Sequence, residues 1–137
     1  MENTCMLMEN YFQEKHIMLQ KKYETGVPEA PVDPTQIKQV FLNILMNAVE
    51  SMPDGGKLDV KIKSIDGSVK IYIVDAGKGM KQDVLQNIYD PFFTTKPSGT
   101  GVGLSVSLKI IEDHGGTIDA ISEQGKGTTM LLTLPIK

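Results

Sequence analysis

The chain has 137 residues, enough for one domain with a substantial buried core. Its formal net charge is −3, from 14 basic and 17 acidic residues, and every basic residue is a lysine, which argues against broad nucleic-acid binding and excludes an arginine finger. The single cysteine, Cys5, excludes an internal disulfide, and because no apolar run is long enough to cross a membrane, we expect a cytoplasmic segment without membrane contact.

The N-terminal third of the chain predicts a strand followed by a long helix. We expect residues 1–14 to be the tail of a helix from an upstream domain, and residues 15–137 to form the domain itself. His16–Lys22 predicts a strand. Asp33 is a candidate N-cap with Pro34 at the first helical position, and apolar residues then recur at helical spacing, so we expect a helix over Thr35–Met52.

Three polar residues share one edge of this predicted helix. At 3.6 residues per turn, Asn43, Asn47 and Glu50 fall within an arc of about 60° beside the apolar stripe. An amide oxygen is a suitable ligand for Mg²⁺. This ion is usually coordinated by a few protein groups together with waters and substrate phosphates. Taken alone, two asparagines at this spacing more often belong to a solvated helix face.

A predicted hairpin ends at a carboxylate. Lys57–Ile65 and Val69–Val74 read as strands by their alternation, and Asp66-Gly67 predicts a tight turn between them. Asp75 therefore lies where a strand ends and a glycine-containing loop begins. A carboxylate at that position can point into a pocket.

The periodic signal weakens between Met80 and Thr100. A short helix is expected at Gln82–Ile88, and we predict a mobile lid over about residues 80–100. Lids of this kind recur where a reaction must be sequestered from water.

A second glycine cluster precedes a helix. Gly99–Gly103 leads into a helical pattern over Leu104–Asp113, which His114-Gly-Gly116 ends. Free N–H groups and the positive end of a helix dipole suit phosphate, and glycines allow its close approach.

The glycine clusters and the asparagines together predict an ATP site. Neither a P-loop nor a Rossmann fingerprint is present. Thr128–Leu134 is the predicted closing strand.

Four segments of the chain carry a family resemblance in order and spacing. Asn43–Ala48, Asp75–Gly79, Pro91–Lys96 and Gly99–Leu104 resemble the N, G1, F and G2 boxes of bacterial sensor histidine kinases, most closely those of the nitrogen-regulation type. The resemblance extends from about Pro31 to Pro135. It implies an α/β chain of the α+β sandwich kind, with the Bergerat fold of the GHKL superfamily: a mixed, mostly antiparallel sheet with helices on one face and a mobile ATP lid.

The resemblance also implies roles for individual residues. Asn47 would bind Mg²⁺, with Asn43 beside it near the phosphates, and Lys96 would place a positive charge at the γ-phosphate unless it is merely solvated. Asp75 would accept from the amino group of adenine, with Thr128 assisting, because a carboxylate accepts but cannot donate to the carbonyl oxygen of guanine. The remaining implied contacts lie along the glycine clusters: Gly77 and Gly79 at the base, and Gly99, Thr100, Gly101, Val102, Gly103 and Leu104 at the phosphates.

Two residues bear on the type of reaction. The ATP hydrolases of the superfamily have a general-base glutamate where this chain has Asn43. An amide cannot take a proton near neutral pH, so water would lack a base that contributes about 10²–10⁴-fold in rate. The substitution favours phosphoryl transfer over hydrolysis. Glu50 stands where some histidine kinases have a basic residue near the phosphates.

The phosphoacceptor expected from the resemblance is not found in the chain. Neither His16 nor His114 has the sequence setting of the acceptor histidine, and we expect both to be structural. The resemblance then implies a histidine-bearing dimerisation domain, a homodimer in the full-length protein, and a response regulator as the downstream partner. Two alternatives remain open: a protein serine kinase of the anti-sigma-factor type, and a GHKL ATPase that acts as a conformational module.

Overall fold

Three helices and five strands make up the part of the chain that the structure describes. The structure is a computed structural model that describes residues 9–23, 33–52, 54–77, 103–123 and 125–135. In chain order the elements are α1 (Glu9–Glu14), β1 (Ile17–Tyr23), α2 (Pro34–Glu50), β2 (Gly56–Ile65), β3 (Ser68–Asp75), α3 (Gly103–Asp113), β4 (Thr117–Glu123) and β5 (Gly127–Pro135).

The five strands form one mixed sheet in the order β1-β2-β3-β5-β4. β1 and β2 are parallel and are joined through α2, whereas the other three pairings are antiparallel. A parallel pair needs a crossover connection, and a helix is the usual one. The predicted mixed, mostly antiparallel sheet is confirmed.

The core lies between one face of the sheet and the helices. Alternate residues of the central strands are buried, as in Leu58 and Val60 of β2, and these belong to the same buried cluster as the apolar stripe of α2. Phe12 of α1 and Ile111 of α3 join the same cluster. The opposite face carries polar and aromatic side chains, with the Lys63 ammonium 5.6 Å from the centre of the Tyr72 ring. The described helices therefore cover one face only, as predicted.

The predicted start of α2 is confirmed in atomic detail. The Asp33 carboxylate accepts from the Thr35 N–H at 2.9 Å and from the Gln36 N–H at 3.3 Å, and Pro34 is the first helical residue. These bonds satisfy two N–H groups that have no partner inside the helix. The helix ends at Glu50, two residues earlier than predicted, although Met52 is still buried in the core.

The predicted end of α3 is confirmed as well. Gly115 has a φ of +78°, which favours glycine, and its N–H donates to Glu112 O at 2.9 Å. The Gly116 N–H donates to Ile111 O, also at 2.9 Å. This pair of bonds is the Schellman motif, which turns the chain sharply at a helix C-terminus. The turn directs the chain into β4.

The β2–β3 hairpin has the predicted tight turn. Asp66 and Gly67 both have positive φ, +50° and +77°, as a type I′ turn requires. Its right-handed twist matches that of the two strands.

One strand was not predicted, and the start of another was wrong by one residue. The sequence gives β4 (Thr117–Glu123) no regular alternation, because the apolar Ile121 lies on the exposed side of the strand, where it is 66% exposed. The first strand begins at Ile17 and not at His16, since His16 has a φ of +59° and ends the turn that follows α1.

Several predictions fall on residues outside the described ranges. These are the lid over about residues 80–100 and the short helix Gln82–Ile88 within it. Only Glu9–Glu14 of the predicted upstream tail is described, so the domain boundary after residue 14 stays a prediction. Within the described ranges, none of the helices combines the length and the apolar character needed to span a membrane.

Candidate functional site

Asp75 is a buried carboxylate at the end of the central strand β3. It lies opposite Thr128 of β5 and Leu58 of β2, and only 7% of its surface is exposed. The Gly77 N–H donates to Asp75 Oδ1 at 2.9 Å, and the Thr128 N–H donates to the same oxygen at 3.3 Å. The sequence predicted that Asp75 ends a strand, and the structure confirms this position.

The pKa of Asp75 lies above its ordinary value of 3.8. Burial is the largest cause, because it disfavours the charged form of a carboxyl group. The backbone N–H groups of Gly77 and Thr128 oppose this shift by stabilising the carboxylate. A buried carboxyl group with these donors is a candidate for selective ligand recognition.

Gly77 packs directly against the C-terminal end of α2. A Cβ atom on Gly77 would lie 2.7 Å from the Ser51 carbonyl oxygen and 2.8 Å from its Cβ, closer than real atoms approach. The Ser51 hydroxyl donates to Ala48 O at 2.7 Å, which fixes the Ser51 side chain at the helix end. The absence of a side chain at Gly77 therefore lets the loop after β3 lie on α2.

The opposite wall of this corner is built by β5 and β4. Gly127 has a φ of +99°, and a Cβ there would overlap the Asp75 carbonyl oxygen. Thr128 follows it, and its hydroxyl lies 2.8 Å from the Ser122 hydroxyl of β4. Ser122 also donates to Gly127 O at 3.2 Å. Gly127 thus allows β5 to approach β3 closely, and Ser122 holds the Thr128 side chain.

Asn43 connects α2, on which it lies, to α3 by a side-chain hydrogen bond. Its Nδ2 donates to the hydroxyl of Ser107 in α3 at 3.2 Å, and its Oδ1 accepts from the Gln39 side chain at 3.0 Å. Ser107 is fully buried, so this contact lies in the interface between α2 and α3. Asn43 is not a solvated surface residue.

Asn47 lies one turn after Asn43 and is half-buried on the same side of α2. Glu50 follows as the last residue of the helix and is exposed. Within the described residues, no cluster of three or more His, Cys, Asp or Glu side chains could hold a metal ion. A neutral amide such as Asn47 fits Mg²⁺ only if phosphate and water supply most of the other ligands.

The glycine-rich half of the predicted site is only partly described. Gly103 is the first residue of α3 and Leu104 the second, which confirms that the second glycine cluster leads into a helix. Gly79, Lys96, Gly99, Thr100, Gly101 and Val102 lie outside the described residues. Their assigned contacts stay predictions.

Three residues near Asp75 were missed by the sequence analysis as site residues. Ser51, Ser122 and Gly127 all lie around the Asp75–Thr128 pair. Of these three, only Gly127 had a sequence signal. It directly precedes the site residue Thr128, and a glycine in a strand often permits a close backbone approach. Single serines give no comparable signal.

The chain matches one protein family over most of its length. Residues 32–137 match the family described as histidine kinase-, DNA gyrase B- and HSP90-like ATPase. Among curated proteins, sporulation kinase E of Bacillus subtilis is 45% identical over 100% of this chain and 19% of its own length. Sensor histidine kinase ZraS of Escherichia coli is 38% identical over 98% of this chain and 29% of its own length.

A solved histidine kinase structure has the same fold. The catalytic domain of histidine kinase ThkA matches with a TM-score of 0.88 and 30% sequence identity, covering 98% of this chain and 89% of that domain. A second ThkA structure, in complex with the response regulator protein TrrA, matches with a TM-score of 0.85 and 27% identity, covering 99% of this chain and 39% of that one. The chain thus spans less than a third of each of the two curated relatives but nearly all of an isolated catalytic domain.

Proposed function

Because the chain belongs to the family of histidine kinase-, DNA gyrase B- and HSP90-like ATPases, we propose that it is the ATP-binding catalytic domain of a sensor histidine kinase. It transfers the γ-phosphoryl group of ATP to a histidine on a dimerisation domain. The observation that carries this proposal is the buried Asp75 carboxylate between Gly77 and Thr128, since its geometry suits the amino edge of adenine.

The two backbone hydrogen bonds at Asp75 reach the same carboxylate oxygen. Both backbone N–H donors reach Oδ1, so we assign Oδ2 to the amino group of adenine. Guanine presents a carbonyl oxygen at the corresponding position, and two facing acceptors repel each other. Thr128 lies opposite Asp75 on β5, so we assign its hydroxyl a supporting contact with the base.

The helix α2 supplies the phosphate side of the site. Asn47 would hold Mg²⁺, which neutralises charge on the transferred phosphoryl group. Asn43 lies one turn earlier and near the phosphates, where its amide cannot act as a general base for water. Positioning and electrostatics carry most of the catalysis in phosphoryl transfer, so a chain without a base for water fits a transferase better than a hydrolase.

The partners follow from the same assignment. His114 is held by bonds to Asp33 and Ile110, in keeping with a structural role rather than that of an acceptor. A histidine-bearing dimerisation domain therefore supplies the acceptor, as a homodimer in the full-length protein, and a response regulator receives the phosphoryl group. The complex of ThkA with its response regulator supports the second partner. We place this segment in the cytoplasm.

Labelled phosphoryl transfer tests the proposal. The chain is incubated with Mg-ATP labelled at the γ-phosphate and a dimerisation domain from a histidine kinase relative. We expect labelled acceptor whose phosphate is lost in acid, as phosphohistidine is. An acid-stable phosphoserine on a protein substrate, or ATP hydrolysis that needs no acceptor, would contradict the histidine kinase assignment.

Asn47→Asp tests the metal assignment in the same assay. The change adds a negative charge beside the phosphates and alters the metal ligand, so we expect transfer to be lost. Gln36→Glu makes the same amide-to-carboxylate change in the first turn of α2 and is expected to retain transfer. Full activity of Asn47→Asp would remove Asn47 from the metal site.

A further inference from the structure

His114 links the C-terminal end of α3 to the N-terminal end of α2. Its Nε2 accepts from the backbone N–H of Asp33 at 3.1 Å, and its Nδ1 lies 2.7 Å from Ile110 O. A backbone N–H can only donate and a carbonyl oxygen can only accept. In this arrangement Nε2 is the acceptor and Nδ1 donates to Ile110 O. A single side chain completes the end of one helix and reaches the cap of another, 81 positions away in the sequence.

A second polar contact joins the same two helices. Ser107 of α3 accepts from Asn43 of α2 at 3.2 Å, and it lies two turns before His114. Two contacts about 10 Å apart along a rigid rod fix its direction and not only its position. Together the Ser107 and His114 contacts define the direction of α3 against α2.

The direction of α3 decides where its N-terminus lies. The helix is 11 residues long, about 16 Å, and it begins at Gly103, where the second glycine cluster ends. A small rotation about Ser107 would change where this end lies relative to α2. Because a helix N-terminus binds phosphate only through N–H groups that point at it, such a rotation would weaken phosphate binding.

We infer that His114 is a positioning residue for the phosphates of ATP, acting through the direction of α3. This inference rests on the proposed function, which places the phosphates at the N-terminal end of α3. His114 does not touch the nucleotide. It holds α3 in the direction that suits phosphate binding before ATP binds. Without this contact, the free protein would populate other directions of α3, and ATP affinity would fall by the fraction of molecules in the suitable one.

Two substitutions separate the two bonds of His114. In His114→Gln, the longer side chain can place an acceptor oxygen where Nε2 lies, so the contact with Asp33 N–H is kept. In His114→Asn, the shorter side chain can still donate to Ile110 O but does not reach Asp33. Both variants replace the ring with a neutral amide, which makes them a matched pair.

The experiment compares the affinities of Mg-ATP and adenosine for the native chain and the two variants by calorimetric titration. We expect His114→Asn to weaken Mg-ATP by about 2- to 12-fold, the equilibrium factor of one hydrogen bond of ordinary net strength. Adenosine, which has no phosphates, is expected to bind within about twofold of the native affinity, since only the phosphate contacts depend on the direction of α3. His114→Gln is expected to bind both ligands as the native chain does.

Different results overturn different parts of the argument. If the native chain binds both ligands and the two variants bind Mg-ATP alike, His114 has no positioning role, while the proposed function stands. A loss of Mg-ATP and adenosine affinity in equal proportion would also overturn the inference, because it indicates general destabilisation. Failure of the native chain to bind Mg-ATP would contradict the proposed function, and the inference with it.

A second variant covers the case in which His114→Asn does not fold, as judged by its thermal unfolding. Ser107→Ala removes the other contact with a small change at a buried position. It is expected to weaken Mg-ATP more than adenosine. An unchanged ratio of the two affinities would overturn the role of α3 direction.

Discussion

Replacing Asp75 with asparagine is expected to weaken ATP binding and, at the same time, to stabilise the free domain. The two N–H groups of Gly77 and Thr128 keep the side-chain oxygen of the asparagine where Oδ1 now lies. The amide NH₂ then takes the place of Oδ2 and faces the amino group of adenine. Two donors face each other, and the hydrogen bond to the carboxylate is lost.

The magnitude follows from the charge on the acceptor. A hydrogen bond to a charged group contributes about 1.5–3 kcal/mol, so the loss weakens binding about 10- to 150-fold. Calorimetric titration with Mg-ATP measures this change. Asp119→Asn removes a carboxylate from the exposed edge strand β4 and serves as the control, with an unchanged dissociation constant expected. Native affinity in Asp75→Asn would refute the adenine assignment.

The effect on stability has the opposite sign. Burial raises the pKa of Asp75, so the fold binds its proton more tightly than the unfolded chain does. The stability contributed by such a group is complete below the unfolded pKa, near the ordinary 3.8, and is lost as the pH rises through the folded pKa. Asparagine does not ionise and escapes this loss.

The pH dependence of the difference in stability isolates Asp75. The free energy of unfolding of Asp75→Asn minus that of the native chain is expected to grow as the pH rises from 3.8 through the folded pKa, and then to level off. Groups common to both proteins cancel in this difference. Urea unfolding at several pH values measures it, and a difference that shrinks as the pH rises would refute the argument from burial.

Three further substitutions test the surroundings of the site. Gly77→Ala places a methyl group 2.7 Å from the Ser51 carbonyl oxygen and is expected to weaken ATP binding in the titration; Gly67→Ala, in the hairpin turn with open space around it, is expected to lower stability by about 1 kcal/mol without changing affinity. Ser122→Ala frees the Thr128 hydroxyl and is expected to weaken ATP binding about 2- to 12-fold, so an unchanged dissociation constant would show that Thr128 needs no support. Asp33→Ala removes the α2 cap and is expected to lower the free energy of unfolding, measured in urea, by about 0.5–2 kcal/mol. Asp33→Asn keeps a capping oxygen and is expected to be close to native. Equal stability of the native chain and both variants would contradict the capping role.

Local chemistry made parts of the fold predictable from sequence. The cap at Asp33, the Asp66-Gly67 turn and the stop after Asp113 each depend on residues within a few positions of one another. Such signals act on the backbone directly and need no knowledge of the rest of the chain. The β4 strand lacked a signal of this kind, since its exposed Ile121 hides the alternation.

The candidate site was less accessible to sequence reasoning. The position of Asp75 at a strand end could be predicted from alternation, but its pairing with Thr128 depends on strand register across 53 positions. The packing of Gly77 on Ser51 and the contact between His114 and Asp33 are likewise tertiary. Periodicity describes which face of an element is buried and does not say what meets it.

The pairing of β3 with β5 has a consequence for how this site can vary in evolution. The entropy of closing a flexible loop grows only with the logarithm of its length, so each doubling of such a loop costs about 0.6 kcal/mol. The Asp75–Thr128 corner is held by the strand register and not by that intervening length. Related chains can therefore lengthen a loop between these two strands while the recognition of the base stays the same.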